Sequence, residues 1–140
     1  MRSSRPILLV DDDNAEMMTV KRALDELNVH NELVHHLDGE NALNYLRNNA
    51  DKGPCVILLD LNMPKMNGVD FLAAVKANAK LKQIPVIILT VSNDEDEKTK
   101  CFELCAAGYI IKPDSYEDFL KAMDTLDSYW TLNELPFPDA

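Results

Sequence analysis

Four short apolar runs punctuate the chain: Ile7-Leu8-Leu9-Val10, Val56-Ile57-Leu58-Leu59, Val86-Ile87-Ile88-Leu89 and Tyr109-Ile110-Ile111. Runs of this length, rich in β-branched residues, predict strands buried on both faces, as in a parallel sheet. A weaker run from Asn31 to His36, with Leu33 and Val34 as its apolar content, predicts one more strand. Between the strands the apolar period lengthens to that of a helix. Met17, Val20, Leu24 and Leu27 mark the first, with Asp13 or Asn14 able to cap it. Asp38-Gly39 opens the second, whose inner stripe is Ala42, Leu43 and Leu46. Val69, Phe71, Leu72 and Val75 mark the third. A fourth begins through the polar stretch Asn93 to Lys100 and turns apolar only from Cys101 to Ala107, so its first half has little to bury and should be mobile. The last carries Tyr116, Phe119, Leu120, Met123 and Leu126, and extends to Tyr129-Trp130.

Strand and helix alternate five times, which predicts an α/β fold with a parallel sheet and right-handed crossovers. Gly53-Pro54 and the Asn62-to-Gly68 segment punctuate the chain as loops. With 140 residues, a single domain is expected, its core spanning about residues 5–127 and an extended last helix and tail about 128–140. No apolar stretch approaches the roughly 20 residues of a membrane span, and Met1 to Pro6 lacks the apolar region of a signal peptide. A cytoplasmic protein is expected.

Charge narrows the partners. The net charge of −10 repels a phosphate backbone, and no basic patch with interleaved aromatics is present, so nucleic-acid binding is not expected. Cys55, Cys101 and Cys105 are odd in number and read as small buried hydrophobes, the last two sharing a helix face. His30, His35 and His36 have no Cys, Asp or Glu repeating at ligand spacing beside them, so no zinc site is expected.

Chemistry gathers where the apolar runs stop. The first ends on Asp11-Asp12, the second on Asp60, the third on Thr90 and the fourth on Lys112. Ligands of open parallel sheets bind outside the carboxyl ends of the strands. Three carboxylates crowded at one sheet edge repel one another unless a cation joins them, and Mg²⁺ suits a site of few carboxylates that leaves room for water and phosphate oxygens. An aspartate can act as nucleophile in phosphoryl transfer, a reaction whose protein side is mostly positioning and charge neutralisation. A lysine and a threonine hydroxyl at neighbouring strand ends supply the remaining positive charge and donor.

The segments Leu9-Val10-Asp11-Asp12-Asp13, Leu59-Asp60-Leu61-Asn62-Met63-Pro64, Asn67-Gly68, Leu89-Thr90 and Gly108-Tyr109-Ile110-Ile111-Lys112-Pro113 resemble, in order and spacing, the receiver (response regulator) domains of two-component signalling. The resemblance implies a doubly wound, flavodoxin-like receiver fold with strand order 2-1-3-4-5 and five helices. It implies a phosphorelay switch that accepts a phosphoryl group from a sensor histidine kinase and catalyses only its own phosphorylation and dephosphorylation. Asp60 would be the phosphoacceptor, Asp12 the direct Mg²⁺ ligand, Asp11 its partner through water, and the backbone carbonyl of Asn62 a further ligand. Thr90 would be the switch hydroxyl, Tyr109 the switch aromatic and Lys112 the ion-pairing lysine. The same likeness suggests a cis Lys112–Pro113 bond. It also suggests that Val91 is larger than the usual residue after the switch threonine, which would slow loss of the phosphate.

The stretch Ser128 to Pro138 is similar to that of single-domain receivers associated with bacterial phytochrome kinases. The last two helices and last strand, with Tyr109, Phe119, Trp130 and Asn93 to Lys100, are the expected partner face, including that of a phosphorylation-linked homodimer. The rival reading is a Mg²⁺-dependent phosphohydrolase with an aspartate nucleophile, of the haloacid dehalogenase kind. It would want a second Asp where this chain has Asn62, and a cap domain for which there is no room. A flavin-binding module is disfavoured by Asp11-Asp12-Asp13, which would repel phosphate.

Overall fold

The computed structural model describes residues 3–134 and residue 136. Leu135 and Phe137 to Ala140, part of the tail that carries the phytochrome-type likeness, lie outside the described residues. Five parallel strands stand in the order β2-β1-β3-β4-β5, with β1 Ile7–Val10, β2 Leu33–His36, β3 Val56–Leu59, β4 Val86–Thr90 and β5 Gly108–Ile111. The helices between and after them are α1 Asn14–Glu26, α2 Gly39–Asn48, α3 Gly68–Ala77, α4 Glu95–Glu103 and α5 Tyr116–Leu132. This is the expected doubly wound fold. No helix among the described residues is long and apolar enough to cross a membrane.

Alternation along the three central strands builds two cores. Leu8, Val10, Ile57, Leu59, Val86 and Ile88 face α2, α3 and α4, packing with Leu46, Phe71, Leu72, Val75 and Cys101. Ile7, Leu9, Val56, Leu58, Ile87 and Leu89 face α1 and α5, packing with Val20, Leu24, Phe119, Met123 and Trp130. Each large side chain buried this way contributes roughly 1.5–3 kcal/mol. The central strands therefore make a well-packed platform beneath their carboxyl ends.

Three expectations need correction. The β5 run was expected to be buried on both faces, yet it is an edge strand, half-buried, with Ile111 exposed. Among the described residues, no strand pairs with its outer side. Helix α4 stops at Glu103 rather than running to Ala107, because Cys105 takes a left-handed backbone (φ 64°) and the Ala106 N–H bonds back to the Cys101 carbonyl at 2.9 Å. Cys105 therefore leaves the helix and is exposed, while Cys55 and Cys101 are buried. Phe119 and Trp130 point into the core (4% and 2% exposed), so the open side of β5, α4 and α5 is carried instead by Phe102, Ile111, Tyr129 and Leu132.

Candidate functional site

Register brings the site residues level. Val10 pairs with Leu59, so Asp11 and Asp60 are the next residues on adjacent strands. Thr90 pairs with Ile111, so Lys112 follows directly beyond that rung. The Asp60 N–H extends the ladder by one bond to the Val10 carbonyl (2.9 Å), and the Lys112 N–H does the same to Thr90 (2.8 Å). The side chains are thus held by continuing sheet rather than by free loop.

Helix starts finish the positioning. Asp13 caps α1 by accepting from the Ala15 N–H at 2.8 Å, and its own N–H bonds to Asp11 Oδ1 at 3.0 Å. Asn67 caps α3 through the Asp70 N–H at 2.9 Å, and the Gly68 N–H reaches back to the Leu61 carbonyl at 2.9 Å. Gly68 is there because α3 presses on the Asp60–Leu61 backbone: a Cβ would lie 2.5 Å from the Asp60 carbonyl oxygen. Lys65 takes a left-handed turn (φ 64°) in the intervening loop.

Asp11, Asp12 and Asp60 each bring a carboxylate oxygen within 4.8 Å of the others, with Asp11 and Asp60 buried and Asp12 exposed. Lys112 Nζ lies 3.0 Å from Asp11 Oδ2 and 3.6 Å from Glu16 Oε2. Burial alone would lower the lysine's pKa, but the surrounding carboxylates, Asp11 foremost, win and raise it. Asp60 goes the other way. Burial raises the pKa of its carboxyl, Lys112 offsets part of this, Asp11 adds to it, and donors from the Thr90 hydroxyl and the Asn62 backbone offset a little more. Its Oδ1 is buried without a hydrogen-bond partner.

That orphaned oxygen is a positive sign for a cation or an electrophile. Leaving a buried acceptor unsatisfied costs about 1–3 kcal/mol, and an ion or phosphoryl group at this point relieves it. Three clustered carboxylates with hard oxygen donors fit Mg²⁺ or Mn²⁺ rather than a soft metal.

Thr90 is fully buried at the end of β4, where its Oγ1 accepts from the Ser92 N–H at 3.3 Å. Tyr109 stands apart from the carboxylates. Its hydroxyl donates to the Ser92 carbonyl at 2.9 Å, and its ring lies 6.4 Å from that of Phe102. The Lys112–Pro113 bond is trans, as are all the described peptide bonds, contrary to expectation. The lysine reaches Asp11 with the bond in its lower-energy form, so no inverted exit from β5 is required.

Three neighbours escape sequence reasoning. Glu16 lies in the first turn of α1 beside Lys112. Ser92 joins Thr90, Tyr109 and, through its hydroxyl, Glu97 of α4. His35 on β2 bonds through Nε2 to the Asp11 carbonyl at 2.7 Å. Glu16 had a legible signal, a carboxylate one turn after the acid pair. The other two depend on tertiary contacts.

A family model described as the response regulator receiver domain matches residues 7–124. Among curated proteins, the probable methanogenesis regulatory protein FilR2 of Methanothrix harundinacea is 36% identical over 127 residues, covering 89% of this chain and 82% of that protein. Response regulator Rcp1 of Synechocystis is 36% identical over 128 residues, covering 89% and 87%. The Mn²⁺-bound structure of Rcp1 superimposes with a TM-score of 0.85, covering 95% of this chain and 99% of that one at 35% identity. The phosphorylated cyanobacterial phytochrome response regulator RcpA superimposes with a TM-score of 0.88 at 33% identity, again covering 95% and 99%. With the receiver-domain model matching residues 7–124 and these relatives sharing the fold over nearly the whole chain, the chain belongs to the response regulator receiver domain family.

Proposed function

We propose that this chain is a stand-alone switch, a single domain in the cytoplasm, that takes a phosphoryl group onto Asp60 from a sensor histidine kinase. The observation that carries the reading is the buried, unpartnered Oδ1 of Asp60 between the acid pair and Lys112. An Asp60 carboxylate oxygen attacks the phosphorus of a phosphohistidine. The new O–P bond forms as the P–N bond breaks, and the electron pair of that bond returns to the imidazole nitrogen.

Asp11, Asp12, Asp60 and the Asn62 carbonyl are the residues that would hold a divalent cation, Mg²⁺ by its abundance. Bound there, it would neutralise charge on the phosphoryl oxygens. The side chains do the rest. Lys112 leaves Asp11 for a phosphoryl oxygen, Thr90 turns its hydroxyl from the Ser92 N–H toward the same group, and Tyr109 follows Ser92. Phosphorylation then biases the face of β5, α4 and α5, where Phe102, Ile111, Tyr129 and Leu132 are exposed, toward a partner or a second copy. The weak packing of α4, with Cys101 its one buried residue, makes it the element easiest to bias.

The phytochrome link is supported by the likeness to RcpA, a cyanobacterial phytochrome response regulator, and a phosphotransfer profile against candidate kinases tests it. The core claim is tested with acetyl phosphate and Mg²⁺, which should add one acid-stable, base-labile phosphate. Labelling of Asp60→Asn at the wild-type rate would refute it.

A further inference from the structure

Lys112 is not poised on Asp60. Its ammonium is buried (8% exposed) and sits on the α1 side of the site, 3.0 Å from Asp11 Oδ2 and 3.6 Å from Glu16 Oε2. Asp60 Oδ1 meanwhile has no hydrogen-bond partner. Glu16 is the third residue of α1, placed by the Asp13 cap, and with Lys112 it lines a cavity of about 280 Å³ between α1 and the start of α5.

Asp11 faces two demands, as the nearest anion to Lys112 and as a carboxylate of the cation cluster. A divalent ion held by the cluster would draw on the charge of Asp11 and loosen its hold on the lysine. Two carboxylates then compete for the ammonium: Asp60, within the cluster, and Glu16, outside it. Only Glu16 draws the positive charge away from the oxygens a cation must occupy.

On this basis, and resting on the function proposed above, we propose that Glu16 is a positioning residue. It holds the Lys112 ammonium aside while a divalent cation binds, and yields it when phosphoryl oxygens offer more negative charge. Glu16 touches none of the reacting atoms, and it acts through the lysine. A carboxylate in a first helical turn also favours the helix dipole, a role that would not depend on Lys112.

The test is Mg²⁺ titration by calorimetry, without any phosphodonor, on wild type, Glu16→Gln, Glu16→Asp, Lys112→Met and the Glu16→Gln/Lys112→Met pair. Removing Glu16 frees the ammonium to lean on the cluster and compete with Mg²⁺. Partly exposed ion pairs of this kind are worth roughly a two- to five-fold change, and Glu16→Gln should weaken Mg²⁺ binding by that factor. In the Lys112→Met background the same change should have no effect. Glu16→Asp keeps the charge but is one methylene too short to reach Lys112, and it should behave like Glu16→Gln.

An equal loss in both backgrounds would mean that Glu16 acts by its field alone, and would overturn the proposal. So would no loss in either. If Lys112→Met does not fold, Glu16→Asp decides: wild-type affinity in that variant overturns the proposal. Failure of the wild type to bind Mg²⁺ removes the proposed function and this inference together, whereas wild-type binding indifferent to Glu16 removes only the inference.

Discussion

Replacing Gly68 by alanine adds one methyl group at the tightest backbone approach near the site. Its Cβ would stand 2.5 Å from the Asp60 carbonyl oxygen, 2.6 Å from Leu61 Cα and 2.9 Å from Leu61 Cδ2. The first two are backbone atoms and cannot swing aside. No described glycine has a positive φ, so the backbone conformation itself poses no obstacle and the clash stands alone. Ordinary contact needs α3 or the Asp60 peptide to retreat by about 1 Å, and overpacking of this kind costs about 1–3 kcal/mol. Alanine's better helix propensity returns up to about 1 kcal/mol. The net expectation is a loss of about 1–2 kcal/mol, or roughly 3–8 °C in melting temperature. Function should suffer more than stability, because the displaced peptide carries Asp60. Urea unfolding would measure the first, and the rate of labelling by acetyl phosphate the second. A Gly68→Ala protein at least as stable as wild type and labelled at the same rate would refute the reasoning.

Further expectations follow from the same geometry. The pKa of Asp60 is raised by folding, so its contribution to stability is present below the ordinary carboxylate range and is lost as pH rises through the raised value. Asp60→Asn should therefore melt higher than wild type at neutral pH, with the gain vanishing in acid; a pH-independent difference in melting temperature would count against this. Val91 is 68% exposed beside Thr90 rather than packed under α4, which leaves its methyl groups free to obstruct water. Val91→Ala should lose phosphate several-fold faster, and an equal or slower rate in the folded variant would reject the obstruction. Trp130 is 2% exposed within the α1–α5 core, and Trp130→Ala should cost about 3–5 kcal/mol by denaturant unfolding. On phosphorylation, amide exchange in α4 or the solution mass should change; constancy of both would sink the partner-face reading.

The sheet was legible because its central strands are buried on both faces, a pattern only parallel α/β folds make commonplace. The caps were legible too. Asp13 and Asp38 accept the N–H groups their helices leave open, as short polar side chains before apolar stripes should, whereas the Asn67 cap of α3 lies inside a segment that reads only as a loop. The site's acids and lysine could be read because register makes strand ends coincide, so position in the chain becomes position in space. Apart from the Lys112–Pro113 bond, which is trans, the failures within the elements were edge-dependent or chirality-dependent. The β5 run has the composition of a central strand, and its exposure follows from standing last in the sheet. The end of α4 is set by a left-handed cysteine, a conformation that side chain does not advertise. Phe119 and Trp130 fall at helical spacing with Met123 and Leu126, a stripe that marks them as core rather than partner face, whereas His35 and Ser92 act through partners that no spacing reveals.

Ser92 has a consequence for how sharply the molecule answers. Its N–H, hydroxyl and carbonyl engage Thr90, Glu97 and Tyr109, so β4, α4 and β5 are all tied to one residue. A state in which only Thr90 has turned leaves the Ser92 amide without its acceptor, and one in which only Tyr109 has left strips the carbonyl. Where such a group is shut off from water, leaving it unsatisfied costs about 1–3 kcal/mol, which would hold half-turned states to between roughly a fifth and less than a hundredth of the favoured state's population. If phosphorylation turns Thr90 and releases Tyr109 as proposed, a partner reading this surface would meet two discrete shapes with little between them, and a graded supply of phosphate would become a count of molecules in one shape or the other.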